Sequence, residues 1–198
     1  MYCFRSNRFF ILLFTGLVFG ACKDRRETVV LYNIDSLLNA QVNFLTQSKA
    51  KLEKNAIIGD ETERQVYTPA DSTAWSHELE IFRKLNEINK PVSRGSYLVD
   101  DGLFDPASNL TVKAFSAVED LPVKYVRISY SASVDKPRKI EALYDDRNQM
   151  YASGRLMTLE FHQIKDKSVL TSYSVEGGQK IILGDSVRYV IHGKITVD

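Results

Sequence analysis

Two different periods divide the chain. From Asn33 to about Lys54, apolar residues recur every three or four positions, at Ile34, Leu37, Leu38, Val42, Leu45 and Leu52. That spacing lays one stripe along a helix, and no proline interrupts it. Asn33 can cap the start with its side-chain oxygen, and Asn55 and Gly59 supply stop signals. A second stripe (Trp75, Leu79, Phe82, Leu85 and Ile88) predicts a helix over 72–89. Asp71 or Ser72 caps it, and Pro91 stops it because the ring cannot continue helical geometry. Residues 59–71 (GDETERQVYTPAD) are polar and turn-rich and read as a loop between the two helices.

After Tyr97 the period falls to two. Leu110, Val112 and Ala114 alternate with polar neighbours, as do Val126, Ile128 and Tyr130, then Ile140, Ala142 and Tyr144, then Met157, Leu159 and Phe161. Thr171, Tyr173 and Val175 lead to Gly177-Gly178, which reads as a hairpin turn because glycine tolerates positive φ. In the last strand Val187, Tyr189, Ile191, Ile195 and Val197 face one way and Arg188, His192, Lys194 and Thr196 the other. Such alternation means one buried and one wet face, as in antiparallel sheets. The expected fold is α+β: two N-terminal helices, about 33–54 and 72–89, packed on a curved antiparallel meander of about seven strands within 96–198.

The segment before this domain has a different character. Arg5 and Arg8 precede an apolar run from Phe9 to Phe19. As a helix, that run rises about 16 Å, too short for a hydrocarbon core of about 30 Å. A basic head, a short apolar body and small residues describe a cleavable export signal over 1–21. An uncleaved membrane anchor and a plain secretory signal cut after Ala21 are the alternatives. Residues 22–29 read as a charged tether and 30–198 as one domain. Without residues 1–21 the chain keeps 24 of its 26 basic residues against 25 acidic ones, which gives no electrostatic reason to invoke nucleic acid. Cys3 leaves with the signal, so Cys22 is the remaining cysteine and no internal disulfide can form.

Phe19-Gly20-Ala21-Cys22 resembles the lipobox of bacterial lipoproteins, with phenylalanine where leucine is usual. The resemblance implies lipidation of Cys22 by a diacylglycerol thioether and an N-acyl chain such as palmitate. Two or more chains hold a protein stably on a bilayer. It also implies a cell-envelope location. Lys23, where an aspartate would favour the inner membrane, points to the outer membrane. Lys23-Asp24 partly matches the surface-export pattern of Bacteroidota, and Arg25 and Arg26 break it, so the face stays open.

Candidate chemistry is sparse. His77, His162 and His192 are scattered, with no HExxH and no cysteine cluster to suggest zinc, so no metal is expected. No GxSxG, GxGxxG or phosphate loop occurs, and neither a catalytic residue nor a cofactor is expected. Asp100-Asp101-Gly102 with Asp105 reads as a solvated turn more readily than as a calcium loop, because the distal glutamate is missing. Asp145-Asp146 reads as a hairpin tip. Tyr125, Tyr130, Tyr144, Tyr151, Tyr173 and Tyr189 either line a groove or follow strand preference. The leading expectation is a lipid-anchored, non-enzymatic binding or scaffold domain, with the membrane and an envelope protein or apolar ligand as partners. The order of elements is similar to that of the lipoprotein-localisation factors of Gram-negative bacteria, which would imply a carrier for lipid or lipoprotein. An envelope hydrolase with a diffuse site is the third reading.

Overall fold

Helix α1 (Ile34–Gln47) begins where expected, with the Asn33 side chain accepting from the Ser36 N–H at 2.9 Å. It ends about seven residues early. Lys49 adopts φ 49°, a left-handed conformation that breaks the helical path, and the chain leaves as a strand. The structure is a computed structural model that describes residues 30–197 except 94, 148–149, 165 and 182–184. The expected signal 1–21, Cys22 and the tether therefore lie outside the described residues.

The α+β expectation of two helices on about seven strands is corrected. The described chain is dominated by one nine-stranded antiparallel sheet, and its helices are short. Three strands are unexpected, β1 (Lys51–Ile58), β2 (Glu61–Tyr67) and the strand over Tyr97–Asp105, while the two expected strands on either side of Gly177-Gly178 are one; β1 and β2 also lie outside the expected strand region. They took the place of the end of the first predicted helix and of the predicted loop. Leu45 and Leu52 are seven residues apart, a spacing that suits a helix, yet Leu52, Ala56 and Ile58 also share one face of a strand. β2 is exposed throughout, so nothing in its composition marks a buried face. A charged edge strand also resists pairing with other chains. Its legible signal was Gly59-Asp60, a two-residue loop between the paired residues Ile58 and Glu61, with Gly59 at φ 60°.

The second predicted helix is broken into α2 (Ser72–Glu78), α3 (Glu80–Arg83) and 3₁₀ turns over Lys84–Asn89 and Pro91–Ser93. Its stripe is nonetheless buried: Trp75, Leu79 and Phe82 have no exposure, and Leu85 and Ile88 have 1%. Burial of a large apolar side chain contributes about 1.5–3 kcal/mol, enough to hold an irregular helical path against a sheet.

The remaining strands are β3 (Tyr97–Asp105), β4 (Leu110–Ala117), β5 (Val123–Tyr130), β6 (Pro137–Arg147), β7 (Tyr151–Ile164), β8 (Lys167–Ile181) and β9 (Ser186–Thr196). They form a meander in chain order, and β9 then pairs with β1, giving the order β2-β1-β9-β8-β7-β6-β5-β4-β3. The segment from α2 to the second 3₁₀ turn thus connects one edge of the sheet to the other, and its apolar stripe lies in the core. Several expected turns prove to be strand. Gly177-Gly178 lies inside β8, and Asp145-Asp146 pairs with Gly154 and Ser153 inside β6. Asp100-Asp101-Gly102 sits at an irregularity in β3, where Gly102 has φ 81° and Asp101 pairs with Lys113 at 2.7 Å.

Gln41 ties α1 to the start of β8. Its amide donates to the Ser168 carbonyl at 2.9 Å and accepts from the Leu170 N–H at 2.8 Å. It is 5% exposed, so both bonds are shielded from water. Gln41→Leu should lower the unfolding free energy by about 1–3 kcal/mol in urea titration, because it leaves a buried backbone N–H unpaired. An unchanged midpoint would show that the bridge contributes nothing.

Candidate functional site

Strands β7 and β8 are longer than the helix that lies on them. α1 has 14 residues, about 21 Å at 1.5 Å each. β8 has 15 residues, about 50 Å at 3.3–3.4 Å each. Beside α2, β1, β7, β8 and β9 line an open cleft of about 400 Å³. Its walls mix apolar side chains (Ile81, Val175, Ile191) with Lys54, Glu78 and Arg155.

Two glycines shape this cleft. Register places Tyr173 on β8 opposite Gly193 on β9, and Gly177 on β8 opposite Tyr189 on β9. The pairing is reciprocal, four residues apart on each strand. A Cβ on Gly193 would overlap the Tyr173 ring, and one on Gly177 would fall 2.9 Å from the Tyr189 hydroxyl oxygen and against the Gly154 carbonyl. Each glycine therefore vacates the space into which the opposite tyrosine lies. Phe82 meets Tyr173 edge-on, with ring centroids 5.7 Å apart. An aromatic ring covering a strand glycine also compensates the side chain that the glycine lacks.

The hydroxyls so placed meet two charges. The Tyr173 hydroxyl donates to the Glu78 carboxylate at the end of α2. Glu78 also accepts from Tyr67 of β2 at 3.2 Å and pairs with Lys54 of β1 at 2.7 Å. One carboxylate, 11% exposed, thus joins a helix to three strands. Burial works against its charged form. The bonds from Lys54 and Tyr173, the Lys54 charge and the Tyr67 bond outweigh that, so the carboxyl sits below its ordinary 4.5. Burial, with the Glu78 charge and hydrogen bond, pushes the Tyr67 phenol up to about 12. The same causes hold the Tyr173 phenol far above its usual range.

Arg155 of β7 is the second charge. Its Nε donates to the Tyr189 hydroxyl at 2.9 Å. Its guanidinium carbon lies 5.7 Å from the centre of the Tyr144 ring, over which Lys84 also sits at 5.5 Å. Its Nη1 is buried without a hydrogen-bond partner among the described residues.

The arrangement is suited to holding a ligand. Glu78 already accepts from three donors, and the described residues lining the cleft include no serine, threonine or cysteine. His77 stands exposed at the rim, while His192 lies on the opposite face of β9, so the histidines do not converge. Among the described residues, no three His, Cys, Asp or Glu side chains are grouped to hold a metal. Of the tyrosines singled out in the sequence, Tyr173 and Tyr189 line the cleft and Tyr144 stacks beside it. Tyr130 instead reaches Asp101 at the far side of the sheet, at 3.5 Å. Sequence reasoning missed Lys54 and Arg155, whose roles depend on strand register, and Glu78, whose role depends on where α2 docks on the sheet. The reciprocal tyrosine–glycine spacing on β8 and β9 was the one available signal.

In comparisons with known proteins, no family model matches the chain, and no curated protein and no solved structure matches it.

Two outcomes follow. Gly193→Ala should destabilise the fold by about 1–3 kcal/mol, because the Tyr173 ring must leave its rotamer and Glu78. A calorimetric scan matching the parent would refute the packing argument. Ionised Glu78 stabilises the fold fully above pH 4.5, and that contribution is lost as pH falls through its lowered native value. Glu78→Gln should therefore flatten the acid limb of the stability–pH curve below pH 4.5. Parallel acid limbs would contradict the assignment.

Proposed function

We propose that the chain is a lipid-anchored cell-envelope protein whose domain binds a ligand in this cleft without transforming it. The cleft carries the reading: its volume of about 400 Å³ falls in the usual ligand-site range of about 300–1,000 Å³. Its polar groups come from α2 and four strands, and among the described residues its lining holds no serine, threonine or cysteine. The lipobox-like Phe19-Gly20-Ala21-Cys22 supports the anchor, and no helix among the described residues is long and apolar enough to cross a membrane. The outer membrane is the proposed site of anchoring.

The space between helices and sheet weighs against a carrier that hides an acyl chain beneath the helices. Trp75, Phe82, Phe115, Leu38 and Ile140 fill it, each with at most 1% exposure. A ligand has room beside the helical layer, not under it.

Intact-mass analysis of the membrane-extracted protein should give a chain starting at Cys22 plus acyl groups, absent from the Cys22→Ala variant. An unlipidated chain would remove the anchor. For the cleft, fragments that raise the melting temperature of the parent should lose their effect on Ile191→Trp, which fills the cleft. Fragment responses identical in both proteins would place binding elsewhere, and turnover of a fragment would defeat the non-enzymatic reading.

A further inference from the structure

We infer that the ligand of this cleft is an oxyanion, a carboxylate or phosphate ester, whose charge pairs with Arg155. The inference rests on reading the cleft as a ligand site and adds the chemical class. Charge accounting within the cleft carries it. Lys54 and Glu78 neutralise each other at 2.7 Å. Arg155 has no such partner among the described residues: its Nε meets a neutral hydroxyl, and its Nη1 meets no acceptor. Asp146, which follows Tyr144 on the same face of β6, accepts from the Tyr151 hydroxyl. Lys84 lies 5.5 Å from the centre of the same Tyr144 ring but does not line the cleft, which leaves Arg155 as the charge the ligand meets.

Arg155 lines the cleft without a carboxylate partner among the described residues, and an oxyanion in the cleft would supply one to the part of the guanidinium that faces it. Arginine's planar fork of donors matches carboxylate and phosphate oxygens, and a partly desolvated site strengthens the pair. Val175, Ile191 and Ile81 then offer an apolar wall for whatever the anion is attached to. A neutral or cationic ligand would leave the charge uncompensated. The Tyr189–Arg155 bond makes the site pre-formed, because Tyr189 is seated over Gly177 and holds the guanidinium at Nε.

The test uses the purified full chain in neutral phosphatidylcholine nanodiscs, with empty discs as the blank. Calorimetric titration compares hexyl phosphate, hexanoate, inorganic phosphate and hexanol. Hexyl phosphate and hexanoate should bind and hexanol should not. Arg155→Gln should weaken the anions by about tenfold or more, the scale of one lost charge-assisted pair. Arg155→Lys should restore part of that loss. Inorganic phosphate binding as tightly as hexyl phosphate would assign the site to a free oxyanion. Tighter hexyl phosphate would assign it to the headgroup of an amphiphile, and both results support the inference. Hexanol binding as well as hexyl phosphate, or an unchanged affinity in Arg155→Gln, would overturn it. If Ile191→Trp still abolishes that hexanol binding, the cleft remains a ligand site and only the anion is lost. If Arg155→Gln does not fold, the comparison of hexyl phosphate with hexanol on the parent chain decides alone.

Discussion

The mismatch between a short helical layer and long strands organises this protein. A sheet buries only the area that something covers, and α1, α2 and the irregular path to Ser93 supply limited cover. Beneath them the sheet is packed with side chains of near-zero exposure, including Phe115, Ile128, Ala142 and Leu159. Beyond them the ends of β7, β8 and β9 keep their hydrogen-bonded ladder but lose their apolar roof. A strand in that situation must change what it displays. The same face that shows Met157 and Leu159 under the helices shows Arg155 past them, and β8 passes from Tyr173 and Val175 to Gly177 and Gln179.

Glycine governs this transition. Strand glycines normally weaken a sheet, since they bring no side chain to the pleated surface. Here Gly177 and Gly193 are covered by tyrosines from the facing strand, so aromatic area replaces the missing contacts. Each ring ends in a hydroxyl that reaches a charged group. Packing and polar satisfaction are therefore solved by the same side chains. Glu78 benefits most, because three donors from three strands offset the cost of burying a carboxylate. Arg155 is only half satisfied by protein groups, and that asymmetry sets it apart from the Glu78 pin.

Much of the architecture was legible because it follows from local periodicity. The alternation in β4 to β7 and β9, the start of α1 and the stripe from Trp75 to Ile88 rest on residues that alternate or recur at helical spacing, whereas β3 reads as a turn and β8 as two strands. The failures share a cause. Lys51–Ile58 carries a lysine where a core residue would stand, and Glu61–Tyr67 is polar on both faces, so neither shows a buried period. They are strands because β9 offers β1 a ladder and β1 offers one to β2, which are long-range facts. Gly177-Gly178 was read as a turn because glycine pairs usually are turns, and the partner strand's tyrosine is invisible along a single segment.

By itself, the sequence determined the apolar stripes, the alternating strands and the chemistry available: scattered histidines, few cysteines and many tyrosines. It determined these because backbone period and side-chain type are properties of neighbouring residues. Only the tertiary structure decided that Lys54, Glu78, Tyr173, Tyr189 and Arg155, spread over residues 54–189, share one cleft. That depends on the register between β1, β7, β8 and β9 and on where the helical cover stops. Register and cover are set by packing summed over the whole sheet, and no short segment of the chain encodes them.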